Sequence, residues 1–251
     1  MRWLPVTAAL MVSVLMCSCS TVINGLPEGP IHAAYQPLGE PEAEAFFFRC
    51  LDELTEEYGN PDVPVNEVIF RRSRKDETAR RYRIAEDFSL TQCIDPSNGV
   101  FVVYIGVDAG KKNFYPLLTH ECGHLMNARI KDWYMEGFAT VFSEEICTEK
   151  NKLWGDWGRH FNRSKKNPYA RSYRMMRDLK AACPEAYPKM IRFTKPNPRS
   201  PEWLCIDIDA WLETLGSVQR DTALEIIEPH LKILRRHTVS GYTIEIPSAL
   251  K

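Results

Sequence analysis

The sequence has no excess of charge of either sign. Its 32 Lys and Arg stand against 33 Asp and Glu, a formal net charge of −1. Nothing global therefore draws the chain to a polyanion such as nucleic acid. It also lacks basic runs interleaved with aromatic residues, the pattern that stacking on single strands requires. No internal repeat is present, which excludes solenoids and propellers. No apolar run reaches the ~20 residues of a membrane-spanning helix; Leu4–Met16 covers 13. At 44% hydrophobic and 26% charged, the composition is globular rather than disordered. The 251 residues suffice for one substantial domain or two small ones.

The amino terminus is set apart from the rest. Arg2 followed by the apolar run Leu4–Met16 reads as a secretory signal over residues 1–18. Met16-Cys17-Ser18-Cys19 resembles a bacterial lipobox, with Ser18 preceding an acylated Cys19 and Met16 where Leu is usual. Plain cleavage near Ser18 or Ser20 is the alternative. The lipid-bearing reading places the protein outside the cytoplasm, membrane-anchored on the periplasmic or extracellular side. Residues 19–41, rich in Pro and Gly, then read as a tether. Residues 42–251 read as one domain.

The chain is organised around Leu117–Ala139, which contains His120-Glu121-Cys122-Gly123-His124. This is an H-E-x-x-H pattern. On a helix, residues four apart lie about 40° apart in rotation and about 6 Å in rise. His120 and His124 can therefore direct two imidazoles at one Zn²⁺, at about 2.0–2.1 Å. Glu121 stands about 100° round the helix, beside the metal rather than on it. There a carboxylate can act as general base toward a metal-activated water. A catalytic zinc needs a third protein ligand, and Glu136 is the candidate. It lies in Trp133-Tyr134-Met135-Glu136-Gly137-Phe138-Ala139, which opens a second helical pattern after a turn at Asn127–Asp132.

H-E-x-G-H followed by W-x-x-E-G-x-A resembles the gluzincin metallopeptidases, specifically the compact, thermolysin-like peptidase MA group. Tyr169-Ala170-Arg171-Ser172-Tyr173 is similar to their Y-A-Q-S-Y segment, with Arg171 in place of Gln. The resemblance covers residues 101–192. It implies an α+β, zincin-like fold: a small β-sheet, an active-site helix beneath it and a mostly helical C-terminal half. It implies zinc-dependent hydrolysis of a peptide or protein substrate. His120, His124 and Glu136 would hold Zn²⁺, Glu121 would move the proton, and Tyr169 or Tyr173 would donate to the oxyanion. It also implies that Gly99–Val107 lines the cleft and pairs with an extended peptide by main-chain hydrogen bonds; an internal strand is the alternative there. Two other functions stay open. One is a zinc-binding surface lipoprotein without peptidase activity, serving as a binding module. The other is hydrolysis of a non-peptide amide.

The remaining expectations are local. Glu42–Tyr58 carries a helical apolar stripe ended by Gly59-Asn60-Pro61. Residues 65–72 read as a strand, with 80–85 as a hairpin partner. Around them lie Arg71, Arg72, Arg74, Lys75, Arg80, Arg81 and Arg83, either a contact for anionic lipid or a solvated surface. Helices are expected at 116–130, 136–150, 168–182, 206–215 and 221–235, with a loop or short helix at 153–167 carrying His160. Thr140, one turn after Glu136, is placed to support a ligating histidine. Gly123 would let another backbone approach closely. Cys122 faces away from the metal. The six cysteines after Cys19 allow fifteen pairings; Cys183 with Cys205 and Cys50 with Cys93 are the expected disulfides.

Overall fold

The computed structural model describes residues 30–81, 88–150, 154–164, 166–237 and 242–251. The signal and the lipidation site at Cys19 lie outside the described residues. The fold is mixed α+β.

Four strands form the main sheet: β1 Tyr35–Pro37, β2 Glu67–Ser73, β3 Leu90–Asp95 and β4 Val100–Ile105. Their order is β1-β2-β4-β3. β4 runs parallel to β2 and antiparallel to β3, while β1 pairs antiparallel with the outer side of β2. β4 is apolar throughout and buried after its first residue because both its edges and both its faces are covered. It is therefore the internal strand, and an added peptide cannot pair with it. Among the described residues the two edge strands of this sheet are β1 and β3.

Two expectations near the amino terminus are corrected. Part of the expected tether belongs to the fold: Pro30–Ala33 forms a short helix, α1, and β1 follows. Tyr35 is buried there, its ring set edge-on against Tyr104 of β4. The expected hairpin after β2 does not form, since Glu77–Arg81 is a helical turn, α3; residues 82–85 lie outside the described residues. Asp76 starts that turn by accepting from the backbone N–H groups of Thr78 and Ala79.

The first long helix, α2 (Pro41–Tyr58), begins on Pro41 at its first turn and stops at Gly59, whose φ of +78° no β-carbon tolerates well. It buries Phe46, Phe47, Cys50 and Leu54. After β4 come α4 (Phe114–Gly123) and α5 (Trp133–Glu149). α6 (Trp154–Arg163) and α7 (Pro168–Ala182) follow, the latter N-capped by the Asn167 side chain on Ala170 N–H at 3.1 Å. A small second sheet was not expected: β5 Thr194–Pro196 pairs antiparallel with β6 Leu204–Ile206. β5 runs into the Pro-rich stretch Lys195–Pro201, which by composition reads as a loop, and β6 follows that stretch. The two terminal helices are α8 (Ile208–Glu213) and α9 (Ser217–Leu234). α9 starts at Ser217, four residues before the expected start at Asp221.

One apolar core joins α2, the sheet, α4, α5 and α7. Gly137 makes the α5–α7 contact possible: a β-carbon on it would stand 2.5 Å from both Ser172 O and Met176 Cγ. Neither expected disulfide forms. Cys50, Cys93, Cys122, Cys147, Cys183 and Cys205 are all free, and all but Cys93 are buried. They sit on separate packed elements, where tertiary contacts rather than sequence spacing decide proximity.

Candidate metal centre

α4 was expected to run to Ile130. It ends at Gly123, and His124–Met126 tighten into a 3₁₀ turn before the extended Asn127. The turn is short enough to keep the two imidazoles together. Their Nε2 atoms lie 3.2 Å apart. Two ligands at tetrahedral angles about 2.0–2.1 Å from one ion stand roughly 3.3 Å apart, so the spacing fits a shared cation.

The carboxylate arrives from the neighbouring helix. Asp132, fully buried, caps α5 by accepting from Met135 N–H at 2.8 Å and also accepts from Ile206 N–H of β6. That cap fixes the start of α5 and places Glu136 in its first turn. Glu136 Oε2 is 3.3 Å from His120 Nε2, and Oε1 is 3.7 Å from His124 Nε2. One ligand atom from each of the three residues lies within 4.8 Å of the others. Two imidazoles and a carboxylate are the donor set of a thermolysin-type zinc site, so these residues fit the ion. The helices come close enough because position 123 is glycine: an added β-carbon would stand 2.9 Å from Ala139 Cα.

Hydrogen bonds orient each ligand. Thr140 Oγ1 donates to Glu136 O at 2.7 Å, which leaves its lone pairs to accept from His120 Nδ1–H at 3.2 Å. The Nδ1–H tautomer follows, with the Nε2 lone pair turned toward the cluster. The stripe that places Thr140 one turn after Glu136 anticipates this contact. Tyr242, which the motifs do not single out, donates its hydroxyl to Glu136 Oε1 at 2.6 Å. The alternation of Tyr242, Ile244 and Ile246 marks an extended segment, but no local signal brings it here. What does is tertiary pairing: Trp133 N–H donates to Thr243 O at 3.0 Å, and Tyr134 Oη to Glu245 O at 3.0 Å.

Glu121 is 3% exposed and is not one of the three clustered ligands. Thr91 Oγ1, on edge strand β3, lies 2.9 Å from its Oε2 and 2.8 Å from its backbone O. A hydroxyl has one proton, so it donates to one of the two at a time.

Burial dominates the electrostatics. It pushes the Glu121 carboxyl up to about 7, helped by the Glu136 charge and opposed by His120 and Thr91. It lowers His124 to about 4, with His120 adding to the fall and Glu136 resisting. For His120, burial is outweighed by the hydrogen bond and charge of Glu136, and its pKa rises. Glu136 falls to about 2: burial resists, but His124, His120 and Tyr242 together prevail. One carboxylate is thus held ionised among the imidazoles while the other is poised near neutrality.

The two candidate tyrosines part company. Tyr169 is 43% exposed, its ring edge-on to Trp133, and the charge of Glu136 and then burial raise its pKa. It stands beside the cluster. Tyr173 is fully buried between Trp154 and Phe161, with Glu144 and Arg177 as its charged neighbours. The two share a face of α7, one turn apart; Tyr169 sits at the exposed start of the helix, whereas Tyr173 lies a turn further in, where α7 is packed into the core. His160 is exposed on α6 against Phe161. Cys122 faces α2, with Sγ 3.9 Å from Phe47 O. Cys147 Sγ meets Thr119 Oγ1 at 3.4 Å, away from the ligand atoms.

No family model, no curated protein and no solved structure matches this chain, so the centre is read from its own geometry.

Proposed function

We propose that the chain is a zinc-dependent metallopeptidase of zincin type, exported and lipid-anchored through Cys19. The observation that carries the reading is the placement of two buried carboxylates, one inside the ligand cluster and one beside it. Glu136 is ionised and clustered with His120 and His124. Glu121 is adjacent, buried and raised to about 7, outside the ligand set. A site that only holds metal has no use for the second.

When bound, Zn²⁺ supplies a Lewis acid for a carbonyl oxygen and acidifies water. His120, His124 and Glu136 hold it. Thr140 keeps His120 in the donor tautomer, and Tyr242 fixes the rotamer of Glu136. Glu121 accepts a proton from the attacking water at its carboxylate and passes it to the leaving nitrogen. Thr91 orients that carboxylate. Tyr169 donates to the oxygen that gains negative charge. The edge strand β3 offers the main-chain donors and acceptors that an extended peptide can pair with.

The test is Glu121→Gln in the full chain. Zinc content by mass spectrometry should stay at the wild-type level, while hydrolysis of a quenched peptide library should fall by about 10²-fold or more. Undiminished hydrolysis removes the assigned base. A wild-type protein that holds zinc and cleaves nothing in the library overturns the peptidase reading in favour of a metal-holding module.

A further inference from the structure

The basic residues around β2 do not scatter when the chain folds. β1 runs antiparallel to β2 with Tyr35 opposite Ser73, and Arg74 N–H donates to Ala34 O at 3.0 Å. β4 runs parallel to β2 with Ile105 opposite Arg72. One end of the sheet therefore collects α1, where the described chain begins, the β2–α3 turn and the loop after β4. It carries Arg72, Arg74, Lys75, Arg80, Arg81 and Lys111, against Asp76, Glu77 and Asp108. Arg80, Arg81 and Lys111 are exposed. Phe88, whose backbone O accepts from Tyr35 Oη, stands at the same end and is 40% exposed.

We propose that this end of the sheet is a membrane-facing surface that docks on anionic lipid headgroups. Charge is one argument. Arg74 pairs with Asp76 at 2.9 Å and Lys75 with Asp108 at 3.0 Å, both between partly exposed side chains. Such surface pairs contribute only ~0–1 kcal/mol, so lipid phosphates can replace the carboxylates. Reach is the other argument. Cys19 precedes Pro30 by eleven residues, which span on the order of 40 Å at most. A domain of this size has a radius of about 22 Å, so a tether reaching its opposite face would have to run roughly 70 Å around it. An anchor at Cys19 thus holds the sheet end that bears the basic residues and Phe88 against the bilayer. The aromatic ring and the cations match the apolar and charged layers of a headgroup region. This inference uses the lipid-anchor part of the proposed function and none of its peptidase part.

The experiment removes the acyl chain and asks whether the face binds by itself. Full-length protein carrying Cys19→Ser is mixed with phosphatidylcholine vesicles, with or without phosphatidylglycerol, and partition is measured by flotation. The leader, with Arg2 and the amino-terminal charge beside its apolar run, is the same in every variant, so the rise is compared between variants. Phosphatidylglycerol should raise partition about tenfold or more, and added salt should abolish the rise. The triple variant Arg74→Glu/Arg80→Glu/Arg81→Glu should lose the rise; its fold is checked by circular dichroism. Arg235→Glu/Arg236→Glu, which alters exposed cations on α9 and its end, should keep it. Hydrogen exchange of the wild-type face should slow on anionic vesicles only. The proposal is overturned if the triple variant keeps the rise, if the α9 pair loses it instead, or if inorganic phosphate at constant ionic strength displaces the protein. Palmitate labelling at Cys19 tests the anchor separately.

Discussion

Gly123→Ala sets two effects of opposite sign against each other. Position 123 is helical, with φ −54° and ψ −36°. In isolation, alanine there should stabilise the helix by about 1 kcal/mol. The added methyl, however, would lie 2.9 Å from Ala139 Cα and 3.1 Å from its Cβ, where ordinary contacts are 3.4–4 Å. Neither neighbour is the end of a flexible side chain, so the two helices must part by roughly half an ångström. Overpacking of this kind costs about 1–3 kcal/mol, and clash beats propensity. The net expectation is a loss of up to about 2 kcal/mol in urea unfolding of the metal-free protein. The consequence for the site is sharper. Ligand distances tolerate only about ±0.2 Å, and α4 with the 3₁₀ turn that follows it carries the imidazoles while α5 carries Glu136. Zinc affinity, measured by competition with a chromophoric chelator, should fall at least about tenfold. A Gly123→Ala protein that is more stable than wild type and binds zinc equally well would refute the claim that backbone proximity at this glycine sets the ligand geometry.

Three further outcomes follow from contacts around the site and the core. Tyr242→Phe removes the hydroxyl that donates to Glu136 Oε1; zinc affinity should drop about 10–100-fold with little change in unfolding of the metal-free form, and an unchanged affinity would show the bond to be incidental. Thr140→Val should weaken zinc binding over the same range, because His120 loses the acceptor that fixes its tautomer, whereas Thr140→Ser should retain it. His230 is buried in the α7–α9 interface, and burial first, then the charges of Arg171 and Arg174, hold its pKa down near 4 against the pull of Asp178. A depressed histidine stabilises the fold fully above its unfolded pKa of about 6.5, and that contribution is lost as pH falls from there toward 4. About 1–3 kcal/mol should disappear over the window in urea titrations, and His230→Gln should flatten the slope; an equal slope in the variant would assign the loss elsewhere.

How much of this was legible in the residues differs by element. Local patterns placed α2, α5 and α7 to within a few residues, because residues spaced at the helical period mark them; the caps at Asp132 and Asn167 emerge only in the structure. The β5–β6 sheet was invisible, since three-residue strands around a Pro-rich stretch carry no periodicity. The position of β4 within its sheet was left open by its all-apolar composition, which suits an internal strand and a cleft strand alike. Tyr169 and Tyr173 looked equivalent at one-turn spacing, and only the packing of α7 separated the partly exposed ring from the buried one.

What the sequence determined alone is what helical geometry fixes within a few residues. That covers the convergence of His120 and His124, the offset of Glu121, and the stripe joining Glu136 to Thr140. Tertiary structure decided everything that depends on chain segments distant along the backbone. It brought Thr91 to Glu121, Tyr242 to Glu136 and Ile206 to Asp132, across separations of 30, 106 and 74 residues. It also gathered the basic residues at one end of the sheet. A dihedral repeat propagates only along its own helix; contacts across such separations exist because burying the shared core leaves those side chains no other place to meet.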